Sequence, residues 1–235
     1  LRLTQGYSQP GTDRLSRLLI TGGVVGPVLF LVVFLLEGAT RPGYTAVRQQ
    51  VSYLSLGAGG WVQVLNFLLC GLLISGFACG MWRVLRPGRS ALWGALLLGV
   101  CGLALIMAGL FVTDPGLGYP PGASRSPQTL HGTIHGVAGL IVFVSISAAE
   151  MVLARRFAGD PLWRGWALSS LASGLLTLVL FVITTILSAL DQQGVLPNSP
   201  TGLFQRVDIL LAWGWMALLA LHLLRLPRVP VSARA

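Results

Sequence analysis

Apolar residues fall along this chain in six long blocks rather than in short alternating runs: Leu18–Leu36, Trp61–Trp82, Ala91–Val112, His131–Ala154, Gly165–Leu190 and Arg206–Leu226. Each is close to the roughly 20 residues a helix needs to cross a bilayer core. A backbone crossing hydrocarbon must satisfy its own hydrogen bonds, so each block is expected to be a transmembrane helix. The pattern predicts an all-α, polytopic membrane protein: a six-transmembrane-helix bundle over 18–226, with short tails at 1–17 and 227–235. The first block is too long for a signal-peptide core, and Glu37 stands where a small-residue cleavage site would be needed. Pro27 predicts a kink within it. The chain opens on Leu1, so the start of translation is expected upstream.

The polar intervals carry their own pattern. Between Glu37 and Gly60, Tyr44, Val47, Val51 and Leu54 recur at helical spacing while Arg48, Ser52 and Ser55 mark a neighbouring face. That predicts a short interfacial helix at the membrane surface. Trp61 and Trp82 bracket the second span, where interfacial aromatics are favoured. Within it Gln63, Asn66 and Cys70 share one side, and amides there should face protein or water. The longest polar interval, Phe111–His135, holds Asp114, a Gly/Pro-rich turn containing Tyr119, and then His131 and His135, which open the fourth span.

Composition sharpens this picture. The chain is 54% hydrophobic and 10% charged, far less charged than a soluble domain. All 16 basic residues are arginine, as a high-GC bacterial genome would give. The net charge of +9 does not point to nucleic acid, because the arginines are dispersed between apolar blocks. Cys70, Cys79 and Cys101 all lie inside spans and read as small buried hydrophobes. Arginine position sets the topology. The amino-terminal tail, the second loop, the fourth loop and the carboxy-terminal tail carry three each, whereas the first, third and fifth loops together carry only Arg41, Arg48, Arg125 and Arg206. The positive-inside rule puts both termini in the cytoplasm and the odd loops outside a bacterial cytoplasmic membrane.

Small-xxx-small pairs at Gly22/Gly26, Gly76/Gly80 and Gly132/Gly136 mark close helix approaches. A partial likeness between Gly23–Phe30 and Gly136–Phe143, on spans running in opposite directions, hints at an inverted repeat.

Candidate chemistry gathers at the outer ends of the spans. His131 and His135, four apart, share a helix face and could hold a metal, with Asp114 as a third ligand. His222 is excluded from that set, lying roughly 24 Å down the sixth span. The competing reading makes the histidines braces for the loop, bonded to Asp114 or Tyr119. Zinc, or haem or chlorophyll held non-covalently by a span histidine, are the only cofactors these residues suggest, and none is required. Arg48 reads as either a phosphate contact or an internal bridge. Arg206 and Asp208 read as an interfacial anchor or as an anion-binding pair. Glu150, deep in the fourth span, is expected either to reach the inner interface or to bond to the Ser/Thr side of the fifth, with a proton-relay role as a further reading. P-loop, GxSxG, HExxH and CxxCH motifs are absent from the sequence.

Several segments act together as a signature: E-G-A-T-R-P-G-Y (Glu37–Tyr44), R-x-x-V-S-x-L (Arg48–Leu54), G-W-V-Q-x-x-N-F (Gly60–Phe67), F-V-T-D-P-x-x-G-Y-P-P-G (Phe111–Gly122), T-L-H-G-T-I-H (Thr129–His135) and G-L-F-Q-R (Gly202–Arg206). In combination, and over nearly the whole chain, they resemble the domain-of-unknown-function 998 family of six-helix bacterial membrane proteins. The resemblance implies the six-span fold. It brings no established activity and therefore no catalytic residue.

Three functions follow as expectations. The first is an outward-facing polar pocket that binds a lipid headgroup or small ligand, or an accessory subunit docking with a membrane-protein partner. Its binding residues would be Arg48, Asn66, Asp114, Tyr119, His131, His135, Arg206 and Asp208. The second is a metal-dependent membrane hydrolase using His131, His135 and Asp114. The third is a small transporter. All three expect Asp114, His131, His135 and Arg206 to converge on one outer pocket.

Overall fold

A computed structural model describes residues 12–123 and 127–227. Arg2, Arg125, Arg228 and Arg234, and most of both tails, lie outside the described residues. Six helices make up the bundle: α1 (Arg14–Thr40), α2 (Gly60–Leu85), α3 (Arg89–Leu110), α4 (Leu130–Ala158), α5 (Arg164–Gln192) and α6 (Thr201–Leu224). All six are long and apolar enough to cross a membrane. Each packs on the next, and α6 returns to α1, so the helices close into a ring.

Most helices overrun their apolar blocks by a few residues because polar groups cap them. Asp13 accepts from Ser16 N at 2.7 Å to start α1, and Thr129 caps α4 through Gly132 N at 3.0 Å. Pro27 sits inside α1 without ending it. α6 begins five residues before its apolar block, at Thr201 just after Pro200. Its first free N–H groups find partners in the first loop: Gly202 N donates to Arg48 O at 3.1 Å and Leu203 N to Val47 O at 2.9 Å.

The two ends of the ring differ. At the terminal end Thr12 N donates to Pro227 O at 3.1 Å, so the first and last described residues lie side by side. Arg83 closes the same end by pairing with Asp13 at 2.8 Å, and Arg17 reaches Leu224 O at 2.8 Å. The first, third and fifth loops gather at the opposite end, here called the loop end.

Glycine packing accounts for the tightest contacts. Gly22 and Gly26 meet Leu73 of α2, and Gly80 meets Leu19 and Ile20 of α1. A Cβ added to Gly71 would stand 2.5 Å from Gly102 O, and one added to Gly102 would stand 2.7 Å from Gly71 O, so α2 and α3 touch backbone to backbone. Gly132 and Gly136 behave differently. The first lies against Asp114, and the second has open space beside it.

The segment after α1 is not an amphipathic surface helix. It makes turns to Gln50, then a 3-10 helix over Val51–Ser55 in which all five residues are buried, Ser52 and Ser55 included. The apolar spacing that suggested a surface face is instead used to plug the loop end of the ring.

Candidate functional site

The loop end is organised by the first loop. Arg206, in the second turn of α6, is 8% exposed and forms no ion pair among the described residues. Its guanidinium donates instead to Ala46 O, to Gln49 O at 3.0 Å, to its own helix at Gly202 O at 2.9 Å, and to the Tyr44 hydroxyl. The fork also lies over the rings of Phe34 and Tyr44, 5.8 and 5.5 Å from their centres. Gln205 adds a bond from Val51 N at 2.7 Å. Three further side chains spread the loop over its neighbours. Arg48 grips Asp191 of α5 with two bonds of 2.9 and 2.7 Å. Gln49 reaches Leu117 O at 3.0 Å, and Arg41 pairs with Glu37 and with Gly59 O at 2.9 Å. The Asp191 bonds hold the Arg48 guanidinium above its usual pKa, and burial raises the Tyr44 phenol.

Under this knot lie two adjoining cavities of about 570 Å³ each. The first is a polar vestibule lined by Arg48, Tyr53, Asp114, Tyr119 and Asp191. The second is a chamber inside the ring, lined by aromatic side chains from five helices: Phe30, Phe67, Phe143, Phe181 and Trp213. Phe30 stacks on Trp213 at 5.5 Å, and Phe143 stacks on Phe181 at 5.1 Å. Gln50, Thr113, Gln128 and Gln192 border both cavities, so a polar collar joins them. On the α4 side the chamber wall includes Gly136 and Gly139, where an added Cβ would meet nothing within 4 Å. Exposed Thr185 and Ala189 of α5 line the same cavity, so the chamber reaches the bundle surface between α4 and α5.

α5 supplies the polar wall. Its buried residues are Ser170, Ser173, Gly174, Thr177, Thr184, Ser188 and Asp191, without one apolar side chain. Trp215 Nε1 donates to Ser170 at 2.9 Å, and Ser173 donates to Glu150 Oε1 at 2.8 Å, the α4–α5 bond expected from sequence. Thr184 and Ser188 face the chamber.

The sequence-named residues divide among these places. Asp114 lines the vestibule but spends both oxygens on Thr129, accepting from N at 2.8 Å and Oγ1 at 2.6 Å. Tyr119 lines the vestibule and meets Tyr44 edge-on at 5.4 Å. His135 lines the chamber. Its Nδ1 lies 3.0 Å from Ala108 O and 2.9 Å from Phe111 O, which requires the Nδ1–H tautomer and leaves Nε2 as the acceptor. His131 is exposed and packs on Phe111 at 5.3 Å, beyond the last turn of α3. Asn66 is buried and donates to Phe30 O and Gln63, each at 3.2 Å, and lines neither cavity. Arg206 lines neither. Asp208 lines the chamber. His222 packs on Trp163 and Trp166 at the terminal end. Asp114 and His135 therefore come to adjoining cavities, while His131 and Arg206 do not join them. Among the described residues no three of His, Cys, Asp and Glu lie close enough to hold a metal ion.

Six membrane-length helices around a polar and aromatic interior define a multi-pass integral membrane protein. The chain belongs to the family described as a protein of unknown function (DUF998), matching it over residues 24–222. No curated protein and no solved structure matches it.

Two predictions follow from the knot. Arg206→Met should lower stability by on the order of 3 kcal/mol, because it strands buried carbonyls. Arg206→Lys should recover only part, since an ammonium lacks the planar fork. Thermal unfolding of the purified protein measures both, and full recovery by lysine would contradict the carbonyl clamp. Burial also pushes the Tyr53 phenol from 10 up to about 12, so folding favours its protonated form. Its contribution is intact below pH 10 and is lost as pH rises toward 12. Unfolding midpoints across that window should fall less steeply for Tyr53→Phe than for the wild type, and equal slopes would show that Tyr53 plays no part.

Proposed function

We propose that this protein binds a small amphiphilic ligand, a lipid or lipid-like molecule, in the joined vestibule and chamber. The ligand's polar part meets the collar of Gln50, Thr113, Gln128 and Gln192, and its apolar part packs on the aromatic chamber. The mouth faces out of a bacterial cytoplasmic membrane, and both termini lie inside. The observation that carries the reading is the direct junction of a polar cavity with an aromatic one, each about 570 Å³, a size suited to a small molecule. The opening between α4 and α5 supports entry from the bilayer, because Gly136 and Gly139 contribute no side chain to that wall and have open space beside them. The arginines of the terminal end support the orientation. Binding without catalysis is favoured because Asp114 and the Nδ1 of His135 are already committed to holding the loop between α3 and α4.

Two measurements test this. In phosphatidylcholine nanodiscs, a neutral dansyl-alkyl amide should bind the wild type saturably. Gly139→Trp, which fills the opening, should weaken binding by about tenfold or more, equivalent to about 1.4 kcal/mol. Gly99→Trp should leave it unchanged, since Gly99 stands in open space away from both cavities. Equal binding by wild type and Gly139→Trp would refute the lateral opening. For orientation, a cysteine-free protein carrying Val195→Cys should react with an impermeant maleimide on intact cells, and one carrying Arg86→Cys only after lysis. The reverse pattern would invert the topology.

A further inference from the structure

Among the described residues Asp208 is the one chamber-lining carboxylate, and it is fully buried with no hydrogen-bond partner on either oxygen. Thr177 of α5 lies beside it without hydrogen-bond geometry. Glu150 of α4 adds a second acid nearby, with Oε1 on Ser173 and Oε2 unpartnered. A carboxylate within a membrane protein is costly unless a cation answers it. None of the described side chains does so. Arg206, two residues earlier on α6, is committed to the carbonyls of the first loop and to Tyr44, and Arg48 to Asp191. His135 is the other titratable group lining the chamber, and its Nδ1 is held by α3 carbonyls.

The rings around Asp208 are suited to a cation. Trp213, one and a half turns further along α6, forms part of an aromatic wall with Phe30, Phe67, Phe143 and Phe181. The faces of such rings carry partial negative charge and attract ammonium groups, most strongly where water is excluded. Among the described residues no arginine or lysine lines the chamber, so it offers an anion no fixed countercharge. A bare calcium or magnesium ion would find a single carboxylate among the described residues that line the chamber, and otherwise only neutral oxygens and aromatic carbon.

We propose that the chamber selects amphiphiles carrying a positively charged nitrogen: the ammonium or amidinium group pairs with Asp208 inside the aromatic wall, and the apolar remainder extends toward the opening between α4 and α5. This rests on the reading of the chamber as an amphiphile site and adds the ligand's charge. Chain length and shape are then set by the lateral opening, and charge is set by Asp208.

Three probes of one chain length separate the two claims: dodecyltrimethylammonium, dodecyl sulfate and a neutral dodecyl amide. Each displaces the neutral dansyl-alkyl amide from protein in phosphatidylcholine nanodiscs, with protein-free discs subtracted. The wild type should prefer the cation to the neutral chain by at least about tenfold, with the anion weakest. Asp208→Asn should bring the cation-to-neutral ratio to about one, and Asp208→Glu should keep a preference. Phe181→Leu, at a half-buried ring, should lower the ratio without abolishing it, so the claim remains testable if Asp208→Asn fails to fold. Equal affinity for cation and neutral chain in the wild type overturns the charge assignment and leaves the amphiphile site standing. Failure of all three probes overturns both. A cation preference that survives in folded Asp208→Asn overturns Asp208 as the anchor.

Discussion

Arg206 is the constraint on which the loop end depends. A guanidinium buried at the end of a membrane bundle needs every donor answered, and backbone carbonyls of a loop need every acceptor answered. The first loop and the second turn of α6 solve both problems together: Ala46, Gln49 and Tyr44 take the fork, and the N–H groups of Gly202 and Leu203 take the carbonyls of Arg48 and Val47. Gly202 is part of the solution, because a Cβ there would strike the carbonyls of Ala46 and Gln49. With the loop pinned to α6, Arg48 can reach Asp191 and Gln49 can reach Leu117, which sets the walls of the vestibule.

Below that knot the ring spends its apolar and polar residues unequally. α1, α2, α4 and α6 turn aromatic rings inward, and α5 adds half-buried Phe181, but the fully buried residues of α5 are hydroxyls, a glycine and Asp191. Of the six helices, α5 has the smallest buried share. The chamber sits where α5 meets α4, between the aromatic wall and the hydroxyl wall. That asymmetry supports an amphiphile as the occupant, and the unanswered carboxylate of Asp208 supports a positive charge on it.

The six spans were legible because each is a long apolar block, and membrane crossing leaves a helix few alternatives. Their ends were less legible, since capping is local and polar. α6 starts at Thr201 rather than Arg206 because a distant loop supplies its missing acceptors. The bond between Glu150 and Ser173 could be anticipated, because a buried acid needs a donor and α5 is rich in hydroxyls. The first loop misled, since spacing that fits a surface helix also fits a buried 3-10 turn. His131 and His135 share a face by spacing, yet α3 ends between their levels, so only His135 finds carbonyls to bind. The chamber had no sequence signal at all. Phe30, Phe67, Phe143, Phe181 and Trp213 lie far apart in the chain and read individually as ordinary core aromatics.

The most direct test is native mass spectrometry of the protein released from lipid nanodiscs formed without detergent. An amphiphile site open to the bilayer should give a one-to-one adduct above the 24.9 kDa chain, carrying a basic nitrogen in its fragment spectrum. A folded chain that emerges bare, or an adduct set made up only of randomly retained bulk lipids, would contradict it.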